Sequence, residues 1–204
     1  MKSPEVRISE EIEALRAKLN RPVVIALDGG SGSGKSTISA KLATLTHIAL
    51  VPLDDFYQRR VPESEWPQMS VAARLNGVFE WDRVRHEAIE PLKFGKAARW
   101  RAFDFMTGPG EDGVYRLKQE IIEVAPAPAI VLEGAYSASP PLRDLIDLAV
   151  IVDVPTIVRH QRIAAREQGG DAFVAAWHAV WDDVESYYFE RVCPPKSFDL
   201  VVQN

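Results

Sequence analysis

Nine consecutive residues, Gly29-Gly30-Ser31-Gly32-Ser33-Gly34-Lys35-Ser36-Thr37, carry the most specific chemistry in this chain. They fit the pattern G-x-x-x-x-G-K-[ST], with Gly29, Gly34, Lys35 and Ser36 at the fixed places. Glycines without a Cβ let the backbone curl until successive N–H groups point inward at an anion. A helix opening at Lys35 aims its positive end at the same point. In such a cradle Lys35 reaches the β- and γ-phosphates of a polyphosphate, the Ser36 hydroxyl ligates Mg²⁺, and Thr37 is a second hydroxyl at the helix start. A flexible Gly/Ser linker is the bland alternative. Linkers are not usually set between a buried strand and a helix, however, and they do not need Lys-Ser.

Three acids sit where strand-like runs end. Ile48–Leu53 runs into Asp54 and Asp55, and Ala129–Leu132 runs into Glu133. Strand tips in an open parallel sheet face the ligand crevice at their carboxyl ends. There Asp54 can take a proton from a substrate hydroxyl or hold a metal-bound water. Glu133 can hold Mg²⁺ through water or orient the nucleophile. Asp55 reads equally well as a turn former, and Asp153, before Pro155, better as a turn or cap. A basic segment opens at Thr156. Arg159, Arg162 and Arg166 follow at i,i+3 and i,i+4 spacing with His160 among them, and only Glu167 is a nearby acid. Clustered guanidiniums suit a transferring phosphoryl group or a stacked base. Gly169-Gly170 would let residues 156–170 close as a lid.

Behind these residues lie five short apolar runs: Val23–Asp28, Ile48–Leu53, Ala129–Leu132, Leu148–Val152 and Phe198–Val202. Helical segments separate them, which predicts an α/β fold with a helix-covered parallel sheet. Ser9 reads as the N-cap of a first helix, with an apolar stripe of Ile8, Ile12, Leu15 and Leu19. Residues 171–191 read as a long helix carrying Trp177, Trp181 and Tyr188. Residues 58–128 are different in character: they hold Trp66, Trp81 and Trp100, many charges and no long apolar strand. Trp81–Leu92 reads as a helix, Arg99–Phe105 as an aromatic and basic stretch, and Met106–Gly113 as a turn-rich loop. This stretch is expected to be an excursion over the sheet's upper edge that grips a substrate, with Asp55, Tyr57, Asp82, Arg101 and Asp104 as candidate contacts.

The chain has 204 residues, 47% of them hydrophobic, which suits a single α/β domain over 1–204. A net charge of −5 gives no reason to expect nucleic-acid or anionic-membrane binding. One cysteine, Cys193, allows no internal disulfide, and no zinc-type Cys/His spacing exists. There is no signal-peptide pattern and no membrane-length apolar run, so a cytoplasmic protein is expected. Oligomeric state is left open, a homodimer among the options.

GGSGSGKST, DDFY about twenty positions on, LEG, and a basic R-x-x-R segment together resemble the uridine kinase, phosphoribulokinase and bacterial pantothenate kinase group of P-loop kinases. The similarity runs from about residue 22 to 203 and extends to nicotinamide riboside kinases. It implies a three-layer sandwich around five parallel strands, with ATP and Mg²⁺ as cofactors. It further implies that Asp54 acts as the base on a small-molecule hydroxyl, that Glu133 lies near the metal, and that the Trp81-Asp82 and Phe103-Asp104-Phe105 segments bind the acceptor. Glu80 stands where uridine kinases tend to have Asp, and Trp100–Asp104 only partly follows their Tyr-x-Pro-x-Tyr-Asp pattern. In the mechanism so implied, Lys35 and an arginine from 159–166 neutralise the moving phosphoryl group, and Arg166 is a further nucleotide contact. A P-loop ATPase acting as a conformational switch, or a nucleotide-binding regulator, is the competing class. No NKxD-type guanine-reading motif is present.

Overall fold

The computed structural model of the protein describes residues 2–166 and 171–204, with the backbone alone at 166 and 171–178. Its strands are β1 (Val23–Asp28), β2 (Ile48–Pro52), β3 (Ala98–Trp100), β4 (Ile122–Val124), β5 (Ala129–Glu133), β6 (Leu148–Asp153) and β7 (Leu200–Gln203). All five apolar runs enter one parallel sheet in the order β2-β5-β1-β6-β7. Every residue of β1 is buried, as a strand covered on both faces must be.

Alternation divides the sheet's side chains between two apolar layers. Val23, Ile25, Leu27, Val131 and Val150 pack with Ile8 and Ile12 of α1 (Pro4–Arg16) and Ile38 and Leu42 of α2 (Lys35–Leu45). Val24, Val51, Ile130 and Leu132 pack on the opposite side, against residues of the excursion and against Trp181, Val184 and Tyr188. Helix α1 begins five residues before Ser9. Pro4 takes its first turn with Ser3 at the cap position, because proline's missing N–H costs nothing there. Leu19 lies beyond the end of α1, yet still packs on its layer.

The excursion holds α3 (Val71–Gly77), then α4 (Trp81–Arg83), a π-helical turn (Val84–Ile89) and α5 (Glu90–Lys93) in unbroken succession. The helix expected over 81–92 is therefore present, with a π-helical middle. The antiparallel pair of β3 and β4 has only three residues a side and no apolar run to announce it. After β6 come α6 (Thr156–Arg166) and α7 (Asp171–Tyr187), and a π turn (Tyr188–Val192) continues the expected 171–191 helix. The Gly169-Gly170 hinge and Glu167 lie outside the described residues, as do the side chains of Arg166 and Trp177. Among the described residues, no helix is long and apolar enough to cross a membrane.

Candidate active site

The strand tips form a ledge, and the register shows how. Glu133 is the last residue of β5, paired with Pro52 of β2 on one side and Leu27 of β1 on the other. Just past Pro52 the chain turns through a 3₁₀ turn, Leu53–Phe56, that carries Asp54 at an exposed position. Just past Leu27 come Asp28 and the glycine loop. Gly134 makes the close approach possible: a Cβ there would lie 2.6 Å from Leu53 Cβ, so only glycine lets the Asp54 turn rest on the end of β5.

The loop has the conformation its composition predicts. Gly29, Gly32 and Gly34 have φ of 144°, 77° and 91°, and α2 starts at Lys35. The buried Lys35 Nζ donates to Gly29 O at 2.8 Å and Gly30 O at 3.2 Å, across the mouth of the curl. The Ser36 hydroxyl donates to the Glu133 carboxylate, 3.3 Å from each oxygen. Burial pushes the Glu133 carboxyl above the usual range; Lys35 pulls it back and the like charge of Asp54 pushes it further. Glu133 is thus bonded to Ser36 and lies within the electrostatic reach of both Asp54 and Lys35.

The two arginines of α6 whose side chains are described differ sharply. Arg159 is buried and pairs with Glu185 of α7 at 2.6 Å; its other contacts are Ser31 O, Val154 O and Thr156 Oγ1. The expectation that this helix is short of acids is corrected here: the compensating carboxylate arrives from 26 positions downstream, beyond any local spacing rule. Arg162 is exposed, and its contacts among the described residues are long, 3.4 Å to Gly32 O, Ser33 O and Asn204 O.

Asp28 is a site residue that the sequence reading passed over as the end of a strand. It is fully buried, and its carboxylate accepts four hydrogen bonds. Gly29 N and Tyr136 N approach Oδ1 at 2.7 and 2.9 Å; Ala138 N and the Tyr188 hydroxyl approach Oδ2 at 2.9 and 2.6 Å. Burial raises its pKa while these donors oppose the rise. The first residue of the phosphate loop is thereby tied to the chain beyond Glu133 and to the helix end at 188. An acid inside an otherwise apolar run was the available signal.

The candidate acceptor residues scatter. Asp55 accepts from Trp100 Nε1 at 2.8 Å, and its carbonyl accepts from Phe103 N at 2.8 Å, so it fastens the excursion to the ledge. Burial raises the Asp55 carboxyl and the Trp100 bond opposes that. Tyr57 is ringed by Phe79, Phe103, Phe105 and Trp181, with centroids 5.0–6.0 Å away, and burial drives its phenol well above the usual value. Asp104 takes hydrogen bonds from Met106 N, Thr107 N and Thr107 Oγ1, so its carboxylate is spent on its own turn. Arg101 is exposed and lines an outer groove with Glu87, Trp100, Leu117 and Ile121, not the ledge. Asp82 is exposed at the start of α4 and makes no ion pair among the described residues. Of the five, the structure brings Asp55 and Tyr57 next to Asp54 and gives the other three different surroundings. Glu80, largely buried, faces Arg83 at 3.0 Å and Arg59 at 3.5 Å.

Five parallel strands with helices on both faces, and a lysine-bearing phosphate loop under acidic strand tips, define a P-loop kinase. The model of the Phosphoribulokinase / Uridine kinase family matches residues 24–203, and the chain belongs to that family. It is therefore a phosphotransferase acting on a hydroxyl acceptor. Among curated proteins it is similar to the uridine kinase of Latilactobacillus sakei, 29% identical over 188 residues (89% of this chain, 85% of the relative). The uridine kinase of Borrelia hermsii is 25% identical over 184 residues (88% and 85%). Among solved structures, a possible uridine kinase from Bacillus stearothermophilus superimposes with a TM-score of 0.64 at 19% identity, covering 96% of this chain and 99% of that one. A candidate fructose transport system kinase from Silicibacter sp. TM1040 gives 0.67 at 21% identity (95% and 97%). At these identities the structural matches speak for the fold alone.

Proposed function

We propose that the protein transfers the γ-phosphoryl group of ATP to a hydroxyl of a small, polar, nucleoside-like acceptor. The observation that supports this most is the ledge itself: Asp54 and Glu133 lie at adjacent strand tips, with Ser36 of the phosphate loop bonded to Glu133. The residues fit Mg²⁺. A hydroxyl and two carboxylates are hard oxygen donors, and Glu133 carries a like-charge neighbour that a divalent cation would relieve. Among the described residues no group of three acidic, histidine or cysteine side chains could cage a metal alone. Ser36, Asp54 and Glu133 would hold the ion, directly or through water, and it would supply positive charge that neutralises charge developing on the transferred group.

The chain's own groups then have distinct tasks. The loop N–H groups and Lys35 hold the triphosphate. Asp54, exposed beside that loop, accepts the proton of the acceptor hydroxyl as oxygen attacks phosphorus. Tyr57 and its aromatic neighbours form an apolar wall for the acceptor's ring, and Asp55 and Trp100 hold that wall against the base. Arg162, exposed and weakly held, supplies positive charge to the moving group.

An ADP-release screen at fixed ATP and Mg²⁺, over nucleosides, sugars, sugar phosphates and pantothenate-like alcohols, tests the proposal. One class should raise turnover far above the acceptor-free rate. Acceptor-independent hydrolysis would instead favour an ATP-driven switch, and ATP binding without turnover a regulator.

A further inference from the structure

Ser31 is held by both ends of its peptide unit. Its N–H donates to Glu185 Oε2 at 2.9 Å, and its C=O accepts from Arg159 Nη1 at 3.0 Å. The same Arg159 Nη1 lies 2.6 Å from Glu185 Oε1, so guanidinium, carboxylate and peptide close a three-membered ring of charge-assisted contacts. Both side chains are nearly inaccessible, 9% for Arg159 and 13% for Glu185. The pair presses directly on the loop. A Cβ on Gly30 would collide with the Arg159 guanidinium and lie 2.7 Å from Glu185 Oε1; one on Gly32 would lie 2.6 Å from Arg159 O. Lys35 holds Gly29 and Gly30 through their carbonyls, so the first half of the loop is gripped by Lys35 on one hand and by this pair on the other.

We infer that Glu185, acting through Arg159, is a positioning residue that sets the shape of the phosphate loop, and that Arg159 is part of this clamp and not the arginine that meets the transferred group. Glu185 stands on α7 after Trp181, which packs on Tyr57 and Trp66, and before Tyr188, the first residue of the π turn that continues the helix, which bonds Asp28 in front of Gly29. One helix therefore sets the loop from two directions. A loop held in its curled form has less conformational freedom to lose when it binds a triphosphate. That gain is the same in ground and transition states, so it belongs in nucleotide affinity and not in kcat.

The inference rests on reading Gly29–Ser36 as a phosphate cradle, and the test separates the two. Mg²⁺-ATP binding to the full chain is measured by calorimetry for wild type, Glu185→Ala, Glu185→Gln, Arg159→Ala and the double Ala variant. Melting temperature and kcat at saturating ATP are recorded alongside. Both single Ala variants should weaken ATP binding roughly tenfold or more, the scale of one charge-assisted hydrogen bond, with kcat within about threefold. The double variant should be little worse than either single one, because the members act as a unit. Glu185→Gln keeps the volume and an acceptor for Ser31 N–H, and should fall between wild type and Ala. ATP affinity within twofold of wild type at a lowered melting temperature would reduce Glu185 to a packing residue and overturn the inference. So would a large kcat loss at unchanged affinity in Arg159→Ala, which would make Arg159 the catalytic arginine. Wild-type protein that fails to bind ATP would instead sink the cradle reading.

Discussion

Tyr188→Phe is the sharpest stability experiment this fold offers. The substitution keeps the ring, which is fully buried and packs on Tyr136 and Phe189 at centroid distances of 5.0 and 4.9 Å. It removes only the hydroxyl that donates to Asp28 Oδ2 at 2.6 Å. An ionised carboxylate has about four acceptor directions, and all four at Asp28 are filled by protein donors, of which the substitution removes one, along with the hydroxyl's contact to the Cys193 thiol. Losing one hydrogen bond to a charged, buried group costs about 1.5–3 kcal/mol. At roughly 2–4 °C per kcal/mol for a chain of this size, the melting temperature should fall by about 3–12 °C. The pH dependence carries its own sign. The Tyr188 bond favours the ionised form of Asp28, opposing the rise caused by burial. The wild-type advantage should therefore be full where Asp28 is ionised and shrink on acidification. Urea titrations of both proteins from pH 8 to 4 read it directly. An advantage below about 0.5 kcal/mol at pH 7, or one that grows in acid, would refute the account of Asp28 as a filled carboxylate.

Asp54→Asn should lower kcat by about 10²–10⁴-fold, the usual worth of a general base, with ATP affinity within a few-fold. Because Asp54 is exposed, its melting temperature should stay close to wild type; steady-state kinetics with the acceptor found by screening, together with a thermal melt, check both halves. Trp100→Phe strips the 2.8 Å donor from the half-buried Asp55 and should cost about 1–3 kcal/mol, seen as a lowered urea midpoint and a raised acceptor KM with ATP affinity little changed. Glu133→Gln should abolish turnover yet raise stability at neutral pH. The folded-state pKa of Glu133 lies above its ordinary value, so its contribution is most favourable in acid and is lost as pH rises through the raised pKa. The variant's advantage should then shrink as pH falls, and an advantage that widens in acid would count against the burial argument.

The sheet was legible because its signals are local. Five apolar runs, four of them ending in Asp28, Asp54-Asp55, Glu133 or Asp153, read as buried parallel strands with polar tips, and the loop's glycines state their own conformation. The cap of the first helix lies six residues before Ser9 because Ser9 and Glu10-Glu11 imitate a cap as well as Ser3-Pro4 does; the burial of Ile8 inside the helix separates them. The excursion was legible in character and not in detail. Asp104 looked like an acceptor anchor by composition, but a threonine three positions on, whose N–H and hydroxyl both reach its carboxylate, makes it a turn former. Arg101 follows Trp100 directly, and successive side chains of an extended chain point to opposite sides. Placing Trp100 on Asp55 turned Arg101 outward.

The arginines of α6 show what kind of information a sequence withholds. Arg159 and Arg162 are three apart, on one helix, of one type, and nothing in their neighbourhood tells them apart. What separates them is the partner that each meets after the chain has crossed back. Arg159 meets the Glu185 carboxylate and disappears from solvent, while among the described residues Arg162 meets backbone oxygens of Gly32, Ser33 and Asn204 at 3.4 Å. A buried guanidinium with four contacts would have to abandon a carboxylate to reach a phosphoryl group. An exposed one on long hydrogen bonds abandons little, and that difference is the physical basis for giving the first arginine to the loop and the second to the reaction.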